Sequence, residues 1–372
     1  MSAKRNIPIA LPSTGEEEWL AVKEPLMSGW LTQGPKVKAF EEAFAARHRV
    51  GHALATTSCT TALHLALATL GIGPGDEVIV PAFTWVASAN AVLYCGATPV
   101  FVDVLGDTYN IDPEALAAAV TPRTRAVIPV HLFGLCADID AIKGAIPDSV
   151  HIVEDAACAA GGLGTFGCFS FHPRKSVTTG EGGMVTTNDA ELAARAECLR
   201  NHGASVPEEV RHHGPAPYLL PDFDVMGFNY RMTDLQASVG IVQLGKLDGF
   251  IAERDRWARF YMDAFRDIPW LQVPSVANGY EHAWQSFVTV VSPDAPLTRN
   301  DMMQRLQEQG VSTRPGTHAV TELGYYRERF GLAPGAFPIA AMLQSQSMAL
   351  PLHNRMDADD YAYVVDAMRA LA

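Results

Sequence analysis

Apolar and polar positions alternate along the chain in three regimes. Up to residue 49 the spacing is helical. Ser13 to Glu16 has capping-box spacing, which predicts a helix running to Gly29; a turn follows through 28–35, and 37–47 repeats apolar residues on one helical face. From residue 50 to about 185, short runs rich in Val and Ile (52–55, 77–80, 99–102, 125–130, 151–154) alternate with helical stretches (62–70, 86–94, from Asp112, 138–143). That alternation predicts an α/β fold: a mostly parallel mixed sheet covered by helices on both faces. Beyond 185 it fades. A helix is predicted over 189–199, a loop-rich stretch over 202–224, and one or two long helices over 234–264. From about 250 the organisation changes, with a strand of alternating polarity at 282–291, a helix at 300–308 ended by Gly310, and a closing helix at 357–371. The expected division is a large domain over residues 1–249 and a smaller C-terminal α/β domain over 250–372.

Composition narrows the class. The chain of 372 residues carries a net charge of −13 and no basic run of five or more, which argues against a nucleic-acid or anionic-membrane partner. No apolar run is long enough to span a bilayer, and residues 1–8 lack the apolar core of a signal peptide, so a cytoplasmic protein is expected. The six cysteines sit mostly in apolar segments and form no Cys-x-x-Cys pair. They read as reduced packing residues, not as a disulfide framework or a zinc site. His212-His213 has no partners at zinc spacing, so no metal is expected.

The candidate chemistry centres on residues 168–185. An alternating apolar run ends in Phe171-His172-Pro173-Arg174-Lys175, and a Gly- and Thr-rich turn leads back into Met184-Val185. This lays one amine at the end of a strand, beside a loop whose glycines allow close approach of backbone to a ligand. Upstream, Ile152-Val153-Glu154-Asp155 reads as a buried strand with two carboxylates at its C-terminal end. A pyridoxal phosphate enzyme needs both parts: a lysine to hold the cofactor as a Schiff base and an acid to pair with the pyridinium nitrogen. Lys175 and Asp155 are the candidates. A lysine buried there is expected to have its amine pKa lowered. The competing readings are a solvated basic turn for Lys175 and an N-cap or surface carboxylate for Asp155; Glu154 points to the opposite face and reads as structural.

Ser58-Cys59-Thr60-Thr61 joins a strand to a helix, where backbone N–H groups and hydroxyls can hold a phosphate; plain N-capping explains the same residues. Trp85, at a strand's C-terminal edge, can stack on a flat heterocycle or simply fill the core at a helix start. Gly162 to Gly167 matches the letters G-x-G-x-x-G of a dinucleotide site, but the residues that follow read as a strand where that motif must open a helix, so a nicotinamide oxidoreductase is rejected.

Taken together, the chain resembles the DegT/StrS-type pyridoxal-phosphate-dependent sugar aminotransferases, of the aspartate-aminotransferase fold (fold type I). The stretches that carry the likeness are 28–35, 58–64, 75–81, Pro129-Val130-His131-Leu132-Phe133-Gly134, Glu154-Asp155-Ala156-Ala157, 169–175 and Gly227-Phe228-Asn229-Tyr230-Arg231-Met232-Thr233-Asp234. The resemblance implies that Lys175 carries the cofactor and shuttles the proton, that Asp155 partners the pyridine nitrogen, and that Trp85 stacks on the ring. It also implies that Thr60, Thr61 and Ser170 bind the phosphate and that Asn229 reaches the phosphate of a neighbouring subunit's cofactor, which makes a homodimer with shared sites the expected state. The implied reaction passes an amino group from an amino acid, L-glutamate, through pyridoxamine phosphate to a keto sugar carried on a nucleotide. Arg231, Arg314 and His318 are candidates for contacts to a substrate carboxylate or diphosphate.

Two departures from the family pattern stand out. Cys158 occupies the place of a glutamine near the cofactor's 3-oxygen, and a thiol is a weak donor. Asp155 and Lys175 lie only 20 positions apart, because the segment from 160 to 167 is short. The rival activities are a dehydratase of the same fold, which commonly lacks the lysine, a cyclitol aminotransferase, and a catalytically silent binding protein on this scaffold. The presence of Lys175 and Asp155 argues against the first and the last.

Overall fold

The computed structural model describes residues 5–159, 164–205, 220, 222–276 and 280–371. The His212-His213 pair, the start of the glycine run at Gly162 and residues 160–163 of the shortened 160–167 segment lie outside the described residues.

The first strands and helices alternate as their sequence requires: β1 (His52–Thr56), α4 (Cys59–Thr69), β2 (Glu77–Pro81), the short β3 (Phe83–Thr84), α5 (Val86–Tyr94), β4 (Thr98–Val102), α6 (Pro113–Ala119), β5 (Thr124–Val127), α7 (Ile139–Ala145) and β6 (His151–Asp155). They follow α1 (Glu16–Ala21), α2 (Lys23–Ser28) and α3 (Pro35–His48), and lead into β7 (Phe166–Ser170), β8 (Gly183–Thr187) and α8 (Ala190–Arg200). Seven strands form one sheet in the order β1-β8-β7-β6-β5-β2-β4, parallel except that β8 runs against both of its neighbours. Both faces are covered, so successive residues of β2 enter different cores: Val78 and Val80 pack with Leu63, Phe166 and Val185, while Ile79 packs with Val127, Ile142 and Ile152 on the other face. That is why the strands read as continuous apolar runs.

Next, α9 (Asp234–Phe265) is a single helix that passes through residues 249 and 250. Thr233 and Gln236 close a capping box at its start. The Asp234 carboxylate accepts from the backbone N–H groups of Lys36 and Val37 and so ties α9 to the start of α3. Its first half packs Ala237 and Leu247 with Phe40, Phe44 and Phe171; its second half packs Ala258, Tyr261 and Phe265 with Trp284, Phe287 and Tyr361. The second core lies under an antiparallel sheet, β11-β13-β10-β9, made of β9 (Leu271–Gln272), β10 (Phe287–Val291), β11 (Arg314–Pro315) and β13 (Ser347–Leu350). The helices of this part are α10 (Arg299–Glu308), α11 (Gly324–Phe330), α12 (Pro338–Gln346) and α13 (Ala358–Arg369). One strand of this part, β12 (His318–Ala319), lies outside that sheet and pairs with β3.

Three sequence expectations are corrected. The first helix is two, and its capping pair is Gly15 and Glu18, because Gln243 holds the Ser13 carbonyl in a non-helical segment. Pro25 has no N–H to donate to Ala21, which explains the break at Val22. The strand expected at 282–291 is only Phe287–Val291 and is buried throughout, since the chain bends at Trp284, whose φ is 48°. Lastly, Lys175 does not end a strand: β7 stops at Ser170, and the lysine sits in a turn closed by its own N–H donating to the His172 carbonyl at 2.8 Å.

Candidate active site

In a parallel sheet the loops at the carboxyl ends of the strands gather on one edge, where ligands of open α/β sheets collect. Here β1, β2, β6 and β7 end on that edge and the reversed β8 begins there.

Asp155 is the last residue of β6 and is buried. The Ser88 hydroxyl, from the first turn of α5, donates to its Oδ2 at 2.8 Å, and the Ala157 N–H donates to Oδ1 at 3.2 Å. The Cys59 thiol lies 3.8 Å from Oδ1. Burial raises the thiol pKa of Cys59, and the nearby Asp155 adds to the effect, so the sulfur stays a neutral donor. Glu154 points to the opposite face, as expected, where its carboxylate meets His131 Nε2 at 2.7 Å in a fully buried pair.

The Lys175 amine reaches back to the same edge and donates to the sulfur of Cys158 at 3.2 Å. A cavity of about 40 Å³, bordered by Phe44, Phe169, Leu247 and Ile251, adjoins both residues. The expected lowering of this amine's pKa is overturned. Burial does pull it down, but the Cys158 sulfur that accepts from it and the Asp155 carboxylate nearby outweigh burial and hold it above the ordinary lysine value.

A cup of donors forms at the start of α4. Ser58 is the N-cap: its hydroxyl accepts from the Thr61 N–H, and the Thr61 hydroxyl accepts from the Ser58 N–H at 3.0 Å and donates to the Ser58 carbonyl at 2.8 Å. The cap thus engages Thr61, while the N–H groups of the first helical residues, Cys59 and Thr60, have no intrahelical acceptor. Gly183 begins β8 against this turn, so closely that a Cβ there would lie 2.4 Å from the Ser58 carbonyl carbon. Ser170 is the register partner of Gly183, which brings it to the same helix end.

Trp85 is the N-cap residue of α5 and is 59% exposed, so it does not fill the core. The pairing of β3 with β12 sets His318 opposite Thr84 and brings its ring edge-on to Trp85, with centroids 5.4 Å apart. Arg314 is exposed on β11. Asn229 and Arg231 form a separate group: Asn229 is exposed and bridges to Asn201, whose side chain accepts from Arg231 at 2.7 Å, while Arg231 also bridges to Thr56 at the end of β1.

Lys175, Asp155 and Cys158 therefore meet at one point, Thr60, Thr61 and Ser170 at another on the same edge, and Trp85 with His318 at a third. Sequence reasoning missed Ser88 and Cys59. Ser88 lies three residues after Trp85 on α5, so helical spacing alone would have set both at the same helix start.

The donor set suits pyridoxal phosphate. A lysine amine stands near a buried carboxylate that has its own donors, an exposed indole stands at the mouth, and the helix end with its hydroxyls offers neutral donors to an anion.

Comparisons with known proteins agree with this geometry. The profile of the DegT/DnrJ/EryC1/StrS aminotransferase family matches residues 12–369. The chain is 41% identical to the spore coat polysaccharide biosynthesis protein SpsC of Bacillus subtilis (strain 168), over 99% of this chain and 98% of that protein. Among solved structures it superposes on the sugar aminotransferase Spr1654 of Streptococcus pneumoniae, known in PLP and PMP forms, with a TM-score of 0.91 and 28% identity, covering 99% of this chain and 98% of the other. It also superposes on DesV of S. venezuelae, solved with a ketimine intermediate, with a TM-score of 0.86 and 35% identity over 95% and 94% of the two chains. The fold, the edge on which Lys175 faces Asp155, and the end-to-end family match lead to one conclusion: the chain belongs to the DegT/DnrJ/EryC1/StrS aminotransferase family.

Proposed function

We propose that this aminotransferase uses pyridoxal 5'-phosphate to move an amino group from L-glutamate to a keto sugar carried on a nucleotide, working as a homodimer. The observation that carries the reading is the convergence of the Lys175 amine and the buried Asp155 carboxylate on the ligand-binding edge of the sheet. Relatives that make polysaccharide or carry the name sugar aminotransferase support the sugar acceptor.

When bound, the cofactor supplies an electron sink for the substrate carbon that loses its proton. The protein's part follows from its residues. Asp155 would face the pyridine nitrogen; buried and held by Ser88 and Ala157, it keeps positive charge favourable at that point. Lys175 would hold the cofactor and then move a proton at its Nζ. Because its neighbours, Cys158 first among them, keep that amine charged, it must shed a proton before it can attack a carbonyl. Cys158 would also stand near the cofactor's 3-oxygen. The start of α4, with Thr60, Thr61 and Ser170, would hold the phosphate with neutral donors and leave the lysine free for chemistry. Trp85 would cover one face of the ring and exclude water there. Arg231, Arg314 and His318 remain the candidates for substrate anions.

Asn229 would complete the site of a second subunit. Its exposure supports this, as do the exposed apolar side chains of Met27, Phe223 and Met226, which are 80%, 56% and 84% accessible. No helix among the described residues is long and apolar enough to cross a membrane.

The test is incubation with L-glutamate and a nucleotide-linked keto sugar, followed by mass spectrometry. Formation of the amino-sugar nucleotide together with 2-oxoglutarate is expected. Conversion of glutamate with the sugar left untouched would reject the acceptor class.

A further inference from the structure

Amino transfer needs the Lys175 amine but not a thiol beside it. The amine nevertheless donates to the Cys158 sulfur at 3.2 Å. Two groups held roughly 3–3.5 Å apart are already at the distance from which they react as parts of one molecule. Neither residue is fixed in a strand: Cys158 follows the end of β6, and Lys175 lies in the turn closed on the His172 carbonyl. The flexible four-carbon stem of the lysine can close the remaining gap by rotation.

The other five cysteines have different surroundings. Burial raises the thiol pKa of Cys59, Cys95, Cys136, Cys168 and Cys198, which keeps them protonated, whereas the thiolate is the form that oxidants meet. Cys158 is half-buried, and the cavity of about 40 Å³ borders both it and Lys175. One water needs about 10–15 Å³ of such space, so a molecule of hydrogen peroxide fits. The backbone N–H groups next to the sulfur are engaged: Ala157 donates to Asp155 and Ala159 donates to the Ala156 carbonyl at 3.2 Å. The lysine amine is therefore the nucleophile at hand for an oxidised Cys158.

We propose that Cys158 and Lys175 are a peroxide-sensitive modification site, in which oxidation joins the sulfur to the amine nitrogen and closes the enzyme to its cofactor. The bond needs only these two side chains; its consequence rests on the aminotransferase reading, in which Lys175 carries the cofactor. First, the Cys158 sulfur attacks hydrogen peroxide. An S–O bond forms, the O–O bond breaks, and the thiol proton leaves with the second oxygen as water. The sulfur is now a sulfenic acid, oxidised by two electrons. The uncharged Lys175 amine then attacks that sulfur. An S–N bond forms, the S–O bond breaks, and the hydroxyl leaves with one amine proton as water. Together the steps take two hydrogens from the thiol and the amine and turn the peroxide into two waters. The first step also prepares the second, because Cys158 leads the neighbours that hold the proton on Lys175 and oxidation removes that partner. A dithiol reverses the bond by exchange, restoring thiol and amine as it closes to its own disulfide. When Lys175 carries the cofactor its nitrogen is taken, so the loaded enzyme is protected.

The test is hydrogen peroxide treatment of the full chain in two states, loaded with pyridoxal phosphate and freed of it by hydroxylamine and dialysis. Free thiols are alkylated and the peptides read by mass spectrometry, while absorbance follows reloading with pyridoxal phosphate. The freed wild type is expected to show Cys158 joined to Lys175, about 2 Da lighter than the separate side chains. It should also reload at least about 10-fold less cofactor until dithiothreitol restores it. The loaded wild type is expected to show no link, and freed Cys158→Ala to reload after peroxide as well as it does untreated. Freed wild type whose Cys158 stays a thiol, or is oxidised while Lys175 remains an unlinked amine, overturns the proposal. An equal loss of reloading in Cys158→Ala overturns it too. Failure of the underlying reading shows separately: untreated wild type that never takes up a cofactor band overturns the aminotransferase and the consequence for loading, while the peptides still decide the bond.

Discussion

The Lys175 amine lies 3.2 Å from the sulfur of Cys158, and its pKa is raised although the side chain sits in an apolar setting. Burial alone lowers a lysine, so the neighbours decide the sign. Cys158→Ala removes one of them and lets burial count for more. Loading of pyridoxal phosphate onto the cofactor-free variant at neutral pH is expected to be roughly 3- to 10-fold faster than in wild type, since more of the amine is uncharged. Stopped-flow absorbance measures it. Loading slower than wild type would show that Cys158 does not hold the proton on the lysine.

Asp155 accepts from Ser88, so the two residues are expected to act together but unequally. Asp155→Asn keeps the shape and removes the charge, and kcat/KM should fall by about 10³-fold or more; Ser88→Ala should cost roughly 10-fold. Thermal denaturation with folding intact in both variants confirms that the loss is chemical. Near-wild-type activity in Asp155→Asn would remove the carboxylate from the mechanism.

Much of this site was legible in the sequence, and the reason is local. Asp155 ends a Val- and Ile-rich run, and a buried strand of a parallel sheet must end at the ligand edge, so reading the strand also located the acid. Lys175 was legible by its glycine-rich flank, but its turn was not, because strand periodicity does not reveal that pairing stops at Ser170, five residues early. The sign of its pKa shift was hidden for the same kind of reason: it depends on Cys158 and Asp155, which reach it only through tertiary contact. The split of the first helix came from Pro25 and from the hold of Gln243 on Ser13, an interaction 230 residues long in sequence. The link of β3 to β12, which brings His318 to Trp85, joins two-residue strands too short to leave any pattern.

Trp85 is more than half exposed, so its replacement should barely disturb the fold while weakening the cofactor's hold. Trp85→Ala is expected to change stability by less than about 0.5 kcal/mol. Its dissociation constant for pyridoxal phosphate should rise by up to about 10-fold, the scale of one aromatic stacking contact. Equilibrium dialysis of the cofactor against both proteins measures it. A large loss of stability with unchanged cofactor affinity would return Trp85 to a structural role.

Glu18 fastens α1 to α9. Burial raises its pKa, but Lys246, Gln243 and the Gly15 N–H outweigh burial and bring it to about 2. A carboxyl depressed on folding stabilises the fold above its unfolded pKa of 4.5, and the contribution is lost as pH falls from there towards 2. Glu18→Gln should therefore be less stable than wild type by about 2 kcal/mol at pH 7, with the two converging as pH falls below 4. Urea unfolding at pH 7 and pH 3 tests the sign. A gap that widens in acid would contradict it.

The central claim is that Lys175 carries pyridoxal phosphate and that an amino acid can reload it with nitrogen. Absorption spectra of purified wild type and Lys175→Ala, before and after L-glutamate, test it most directly. The account predicts a yellow band in wild type that glutamate bleaches towards the pyridoxamine form, and no such lysine-bound band in the variant. Wild type that shows no cofactor band even after soaking with pyridoxal phosphate, or a Lys175→Ala protein with the same band and the same bleaching, would contradict it.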